Sequence, residues 1–160
     1  MTKKPMHKIT TLLLYLIYIC IGAGCINEHI VAHQYAHTSH KEWHHTDTLL
    51  FKIPALSDSL NYQLTIGIRS MNTYAYQNLW LVVAQQDVQT EQRKLDTICI
   101  AMNDTNGIAL GTGNNLLQYE SPTNVQLIGN HTESKMLIYH VMKGSTLSGI
   151  QDVGIRITQK

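Results

Sequence analysis

Residues 61–70, NYQLTIGIRS, put Tyr62, Leu64, Ile66 and Ile68 on one side of an extended chain and Gln63, Thr65, Gly67 and Arg69 on the other. A strict period of two over that length describes a strand with one face in a core and one in water. Similar short segments recur to the end of the chain, at 47–53, 76–86, 94–102, 114–120, 124–129, 135–143 and 152–159. The 76–86 run is the most apolar and reads as a central strand, and NDTNG at 103–107 reads as a turn. No stretch after residue 25 keeps the 3.6-residue period of a buried helix for more than about two turns. The pattern predicts an all-β domain: an antiparallel β-sandwich, jelly-roll or Ig-like, of seven to eight strands. A chain of 160 residues is long enough for one such core and too short for two.

The first 24 residues have a different composition. Lys3, Lys4 and Lys8 precede an uncharged run at 11–21, which ends at Gly22, Ala23, Gly24 and Cys25. Eleven residues are too few to cross a bilayer core of about 30 Å, so a basic start and small-residue exit read as a secretory signal peptide. Small residues directly before a cysteine fit a bacterial lipoprotein signal over 1–24. Cleavage would follow Gly24 and leave Cys25 as a diacylglycerol thioether with an acylated amine. Cys20 fits less well, because the bulky Ile19 precedes it. A signal cut near Gly24 without lipid, or an uncut anchor, are the alternatives. Three of the 12 basic residues and none of the 11 acids lie before Cys25, leaving nine cations against 11 acids in the mature chain. That balance is no footprint for nucleic acid or for an acidic membrane. With Cys20 removed and Cys25 acylated, Cys99 is the one remaining thiol, so no disulfide framework is expected. Within a β pattern, Cys99 reads as a small buried hydrophobe.

Residues 25–42 are polar and rich in histidine, and read as a tether ahead of a domain spanning 43–160. His29, His33 and His37 are spaced by four, and on a helix they would share a face able to bind Zn²⁺ or Cu²⁺. The surrounding residues offer no second shell to fix such a site, so no metal and no cofactor is assigned. Nor is a catalytic residue. Ser57, Ser59, Ser145 and Ser148 lie outside any nucleophile-elbow motif, and His140 sits inside a strand pattern between Tyr139 and Val141. No pair of carboxylates stands out as an acid/base couple. GIALGTGNN at 107–115 has glycines but no following lysine or helix, so it reads as a connection between strands.

Asp47-Thr48-Leu49, Asp58-Ser59-Leu60 and Asp96-Thr97-Ile98 each place Ser or Thr between Asp and an apolar residue. The pattern resembles the O-glycosylation signal of exported Bacteroidota proteins and makes Ser59, Thr48 and Thr97 candidate sites. It is equally a natural way into a strand.

Four pieces carry a wider likeness: WHHTDTLLFKI at 43–53, LTIGIRSMNTYAYQNLWLVV at 64–83, GIALGTG at 107–113 and GIQDVGIRI at 149–157. In this order and spacing they resemble the GldH family of gliding-motility lipoproteins of the Bacteroidota. The resemblance implies an accessory part of the machinery that moves adhesins over the cell surface, tied to type IX secretion. It supplies no catalytic motif. It implies partners among envelope proteins, with the membrane reached through lipid on Cys25. A single acid, Glu28, follows that cysteine closely, which favours the periplasmic face of the outer membrane over surface export. Within the likeness, Arg69 and Arg156 each interrupt an apolar strand, and each should face outward or pair with an acid. A non-enzymatic scaffold predicts an exposed apolar or aromatic patch on one sheet face or end. The alternative, a glycan-binding sandwich, predicts exposed aromatics in a shallow groove, with Trp43, Tyr74, Tyr76, Trp80 and Tyr119 as candidates.

Overall fold

The computed structural model describes residues 29–38, 42–57, 59–89, 93–128 and 132–160. Ten strands form: β1 (His29–His37), β2 (Glu42–His44), β3 (Leu49–Ile53), β4 (Tyr62–Met71), β5 (Asn78–Asp87), β6 (Arg93–Ala101), β7 (Leu116–Pro122), β8 (Ser134–His140), β9 (Thr146–Ser148) and β10 (Ile150–Gln159). Two four-stranded antiparallel sheets, ordered β1-β10-β4-β7 and β3-β8-β5-β6, carry the core between them, and β2 pairs with β9 in a small ribbon. The all-β sandwich read from the alternation is therefore the fold.

The central strands show why the alternation works. Leu64, Ile66 and Ile68 of β4 pair in register with Ile157, Ile155 and Val153 of β10, and all six are buried. The opposite sheet supplies Phe51, Met136, Ile138, Leu81 and Val83 to the same core. Every connection but one passes between the sheets, the exception being the β5–β6 hairpin. One end of the sandwich thus holds the start of β1, the finish of β10, and the β3–β4, β5–β6 and β7–β8 connections. The other end holds β2, β9 and the remaining connections.

The tether expected over residues 25–42 is corrected where the structure describes it. His29–His37 is an edge strand, paired with β10 from His29↔Gln159 to His37↔Asp152 with one bulge near Ile30. Its inward face carries little apolar bulk, with Ala32 buried, Ala36 half-buried and, between them, Gln34 donating its amide to the Lys52 carbonyl of β3 at 2.8 Å. That small apolar content is what made the segment look like a linker. Its outward Tyr35 supplies the hold. The ring lies across Gly67 and Gly154, which face each other on β4 and β10. A Cβ added at Gly67 would meet the Tyr35 hydroxyl at 2.4 Å, and one at Gly154 would meet the ring at 2.5 Å. Arg69 then stacks on the ring, 4.0 Å from its centroid.

The far end is closed by buried aromatics. Trp43 is fully buried and donates from Nε1 to the Asp47 carbonyl at 2.8 Å. Tyr74 donates its hydroxyl to the Asn78 carbonyl at 2.9 Å, and burial pushes that phenol well above its ordinary range. His140, 1% exposed, packs edge-on against Trp43 and bonds its carbonyl through Nε2 at 3.0 Å. That bond makes Nε2 the protonated nitrogen and leaves Nδ1 buried with no partner among the described residues.

Two outcomes follow. Gly154→Ala should destabilise the fold by about 1–3 kcal/mol through overpacking against Tyr35, and much of that loss should vanish in a Tyr35→Ala background, as read from a double-mutant cycle of urea melts. Additive losses would show that the ring does not rest on the glycines. Burial holds the His140 imidazole below its ordinary pKa of 6.5. The unfolded chain therefore takes up this proton first as pH falls. His140's contribution is complete above about pH 6.5 and declines from there toward the lowered folded value. The urea midpoint should fall between pH 7 and pH 5, and fall less in His140→Gln, whose amide can still donate to the Trp43 carbonyl.

Candidate functional site

The outer faces of the two sheets differ in kind. On β1-β10-β4-β7 the outward residues form a polar lattice. Asp152 contacts His37 on one side and lies 3.8 Å from Arg69 on the other. Arg156 donates to Glu120 at 2.7 Å. Both arginines thus face outward and pair with acids. GIR at 67–69 and GIR at 154–156 lie on adjacent strands, so their glycines meet, while Arg69 reaches Asp152 on neighbouring β10 and Arg156 reaches across β4 to Glu120 on β7. This face has its charges balanced and its centre covered by Tyr35.

The outer face of β3-β8-β5-β6 is the reverse. Leu50, Leu137, Ala84 and Leu95 stand in one row across all four strands. Leu95 is 67% exposed and Leu50 51%. The next row holds the half-buried Tyr139, the buried Val82 and the exposed Thr97. Beyond it Trp80, 45% exposed, sits opposite Cys99 and beside Val141. Cross-strand neighbours on one face lie about 5 Å apart, so these residues make one continuous surface. Contiguous exposed apolar area on a soluble domain marks an interaction site. On the other flank of the leucine row, Lys52, Lys135, Gln86 and Arg93 form a last row that is basic.

An open cleft of about 520 Å³ separates β6 from β7 and is lined by Ile100, Leu110, Thr112, Tyr119 and Glu120. Its one lining carboxylate, Glu120, is the partner of Arg156, so the cleft offers no free acid/base pair.

The sequence-predicted residues are scattered by the fold. Gly24 and Cys25 lie outside the described residues. Thr48 and Ser59 are exposed in connections, and Thr97 is exposed on the apolar face. Cys99 is not a buried hydrophobe: it points outward from β6 beside Trp80, because the even-numbered residues of that strand, such as Ile100, face the core. His29, His33 and His37 lie on a strand, where a four-residue step is about 13 Å, so they cannot share one ion. Of the five aromatics proposed for a glycan groove, Trp43, Tyr74 and Tyr119 are core residues, and only Tyr76 and Trp80 are exposed. The apolar row was missed by sequence reading, because each strand contributes a single residue to it and only the register aligns them.

Comparison with known proteins matches the sequence to a family. The family profile described as GldH lipoprotein matches residues 30–157, so it takes in β1 as part of the domain. The chain is 30% identical over 132 residues to the Gliding motility lipoprotein GldH of Flavobacterium johnsoniae, covering 74% of this chain and 78% of that one. It is 30% identical over 130 residues to the Gliding motility lipoprotein GldH homolog of Christiangramia forsetii, covering 72% and 76%. Among solved structures, the crystal structure of dimeric latent PorU from Porphyromonas gingivalis aligns over 87% of this chain but only 14% of its own, at 12% identity. Its TM-score is 0.34, too low to carry fold or function across. The profile match over nearly all of the folded region, together with two relatives at this identity and coverage, places the chain in the GldH lipoprotein family.

Proposed function

We propose that this chain is a lipid-anchored, non-enzymatic accessory of the gliding motility machinery that docks onto other envelope proteins through the outer face of β3-β8-β5-β6. The observation that carries the reading is the row of Leu50, Leu137, Ala84 and Leu95, continued by Tyr139, Trp80 and Val141. Family membership supplies the setting, since the matched relatives are named gliding motility lipoproteins. Cys25 is the lipid attachment point in this proposal, the outer membrane its location and the periplasmic face its side. A link to type IX secretion belongs to the same proposal.

The docking reading also sorts the candidate O-glycosylation sites. A sugar on Thr97 would stand in the middle of the apolar face and block it. Thr48 and Ser59 lie in connections and leave that face clear. The alternative of glycan binding by the sandwich is weakened by the burial of Trp43, Tyr74 and Tyr119.

The test is crosslinked recovery from native membranes. Leu50→Lys and Leu95→Lys alter exposed side chains, and each should change folding stability by less than about 0.5 kcal/mol. Gliding or secretion components should co-purify with the wild-type chain and be lost with the double variant. They should also be lost with Cys25→Ala, through loss of membrane targeting. Equal recovery with the lysine variants would remove the docking face from the proposal.

A further inference from the structure

From the bare edge of β6, we propose that a second copy of this chain pairs with it antiparallel about a two-fold axis, Leu95 opposite Leu95, and joins two four-stranded sheets into one. This goes beyond the docking face of β3-β8-β5-β6, and it rests on the backbone and charges of β6 rather than on that face.

The first argument is the edge itself. The Met102 amide donates to the Gln77 carbonyl, and the Val141 amide to the Trp80 carbonyl. Antiparallel alternation then bonds Leu81 and Val83 of β5 to Ile98 and Asp96 of β6. It points the N–H and C=O of Arg93, Leu95, Thr97 and Cys99 away from β5. Among the described residues no backbone group bonds to them. An unpaired edge recruits strands, and folded proteins blunt it with short strands, bulges or covering segments. The other three edges are managed in these ways. Strand β3 has five residues, β1 carries a bulge, and on β7 Gln118 exchanges backbone bonds with Thr112 at 2.8 and 2.9 Å. Strand β6 runs nine residues with no register shift and no proline.

The second argument is charge. Lys94 and Asp96 lie on the inner side of β6. The Lys94 ammonium donates to the Gln126 carbonyl at 3.0 Å and lies 3.8 Å from Asp96. The Asp96 side chain is 30% exposed, yet its Oδ2 accepts no hydrogen bond from any described residue. Pairing centred on Leu95 sets Lys94 of each copy directly opposite Asp96 of the other. Two symmetric ion pairs form, and the orphaned oxygen gains a donor. Arg93 then stands opposite Thr97, and no charge meets its like. A centre on Lys94 or Asp96 would set that charge against its own copy. A centre on Thr97 or beyond would carry the copy past Arg93 into a closed stretch. There Asn103 bridges to Ala109, and the Leu110 amide donates to the Met102 carbonyl at 2.9 Å.

The third argument is the apolar row. Leu50, Leu137, Ala84 and Leu95 end at this edge, with Leu95 67% exposed. Leu95 against Leu95 turns the two rows into one that crosses both copies. It covers the most exposed leucine of the face at the axis.

The test uses the full chain, purified in detergent from a host that processes lipoproteins and exposed to a mild oxidant. Opposed residues of a hydrogen-bonded pair have Cα atoms about 5.5 Å apart, within disulfide reach, whereas an offset of four residues adds about 13 Å. Cys99→Ser leaves no thiol in the folded region and gives the baseline, including any bridge through Cys25. Adding Leu95→Cys to it should give covalent dimer about tenfold or more above that baseline. Adding Thr97→Cys instead should stay at baseline, and so should the wild-type chain with Cys99. Adding Arg93→Cys together with Thr97→Cys should restore the dimer, because those positions face each other. Charge is read in the Leu95→Cys, Cys99→Ser chain. Lys94→Glu alone and Asp96→Lys alone should each lose most of the crosslink. An equal mixture of the two should recover it, since each copy then meets its opposite charges. Equal crosslinking at 95, 97 and 99 would report chance collision of exposed thiols and overturn the pairing. So would a crosslink at 95 that stays at baseline, or a mixture that recovers nothing. A crosslink from 95 to a different protein in native membranes would give the edge to a foreign strand and overturn the second copy.

Discussion

Tyr35 can lie flat against the sheet only because the two residues beneath it, Gly67 and Gly154, have no side chains. Much else follows from that contact. Strand β1 brings little apolar surface of its own, with two alanines and Gln34 inside and histidines outside. Backbone pairing at a sheet edge is weak support for such a segment without side-chain packing. The ring covers both glycines, receives Arg69 on its other face, and lies one row from the contact between His37 and Asp152. An aromatic laid over facing glycines compensates for the strand weakness that glycine introduces. It also converts what would be a linker into part of the domain.

The two outer faces divide labour through register. On β1-β10-β4-β7 the outward arginines reach acids on other strands of the same sheet, Arg69 to Asp152 on β10 and Arg156 across β4 to Glu120 on β7, so the charges are met within the sheet. Nothing in that lattice requires a partner. On β3-β8-β5-β6 the outward positions align leucines with leucines, and no segment of the described chain covers them. Below that row, the segment after β7 closes the open side of the core. There the Gln85 amide donates to the Gln126 carbonyl and accepts from the Ile128 amide, so a buried polar side chain is fully paired. The sandwich is thus closed where it needs to be and bare on one face.

Legibility from sequence followed the same division. Strands β3 to β8 and β10 were readable because each buries one side, and burial of alternate residues writes the period of two directly into the chain. Arg69 and Arg156 were readable as outward or paired, since a charge inside an apolar strand has few other options. Three features were not readable. Strand β1 lacks the apolar alternation because its neighbour supplies most of the burial and Tyr35 grips from the outer side. Cys99 looked buried because local alternation does not say which of two half-apolar faces is the inner one, and on β6 both carry apolar residues. The leucine row depends on long-range register, which no single segment encodes.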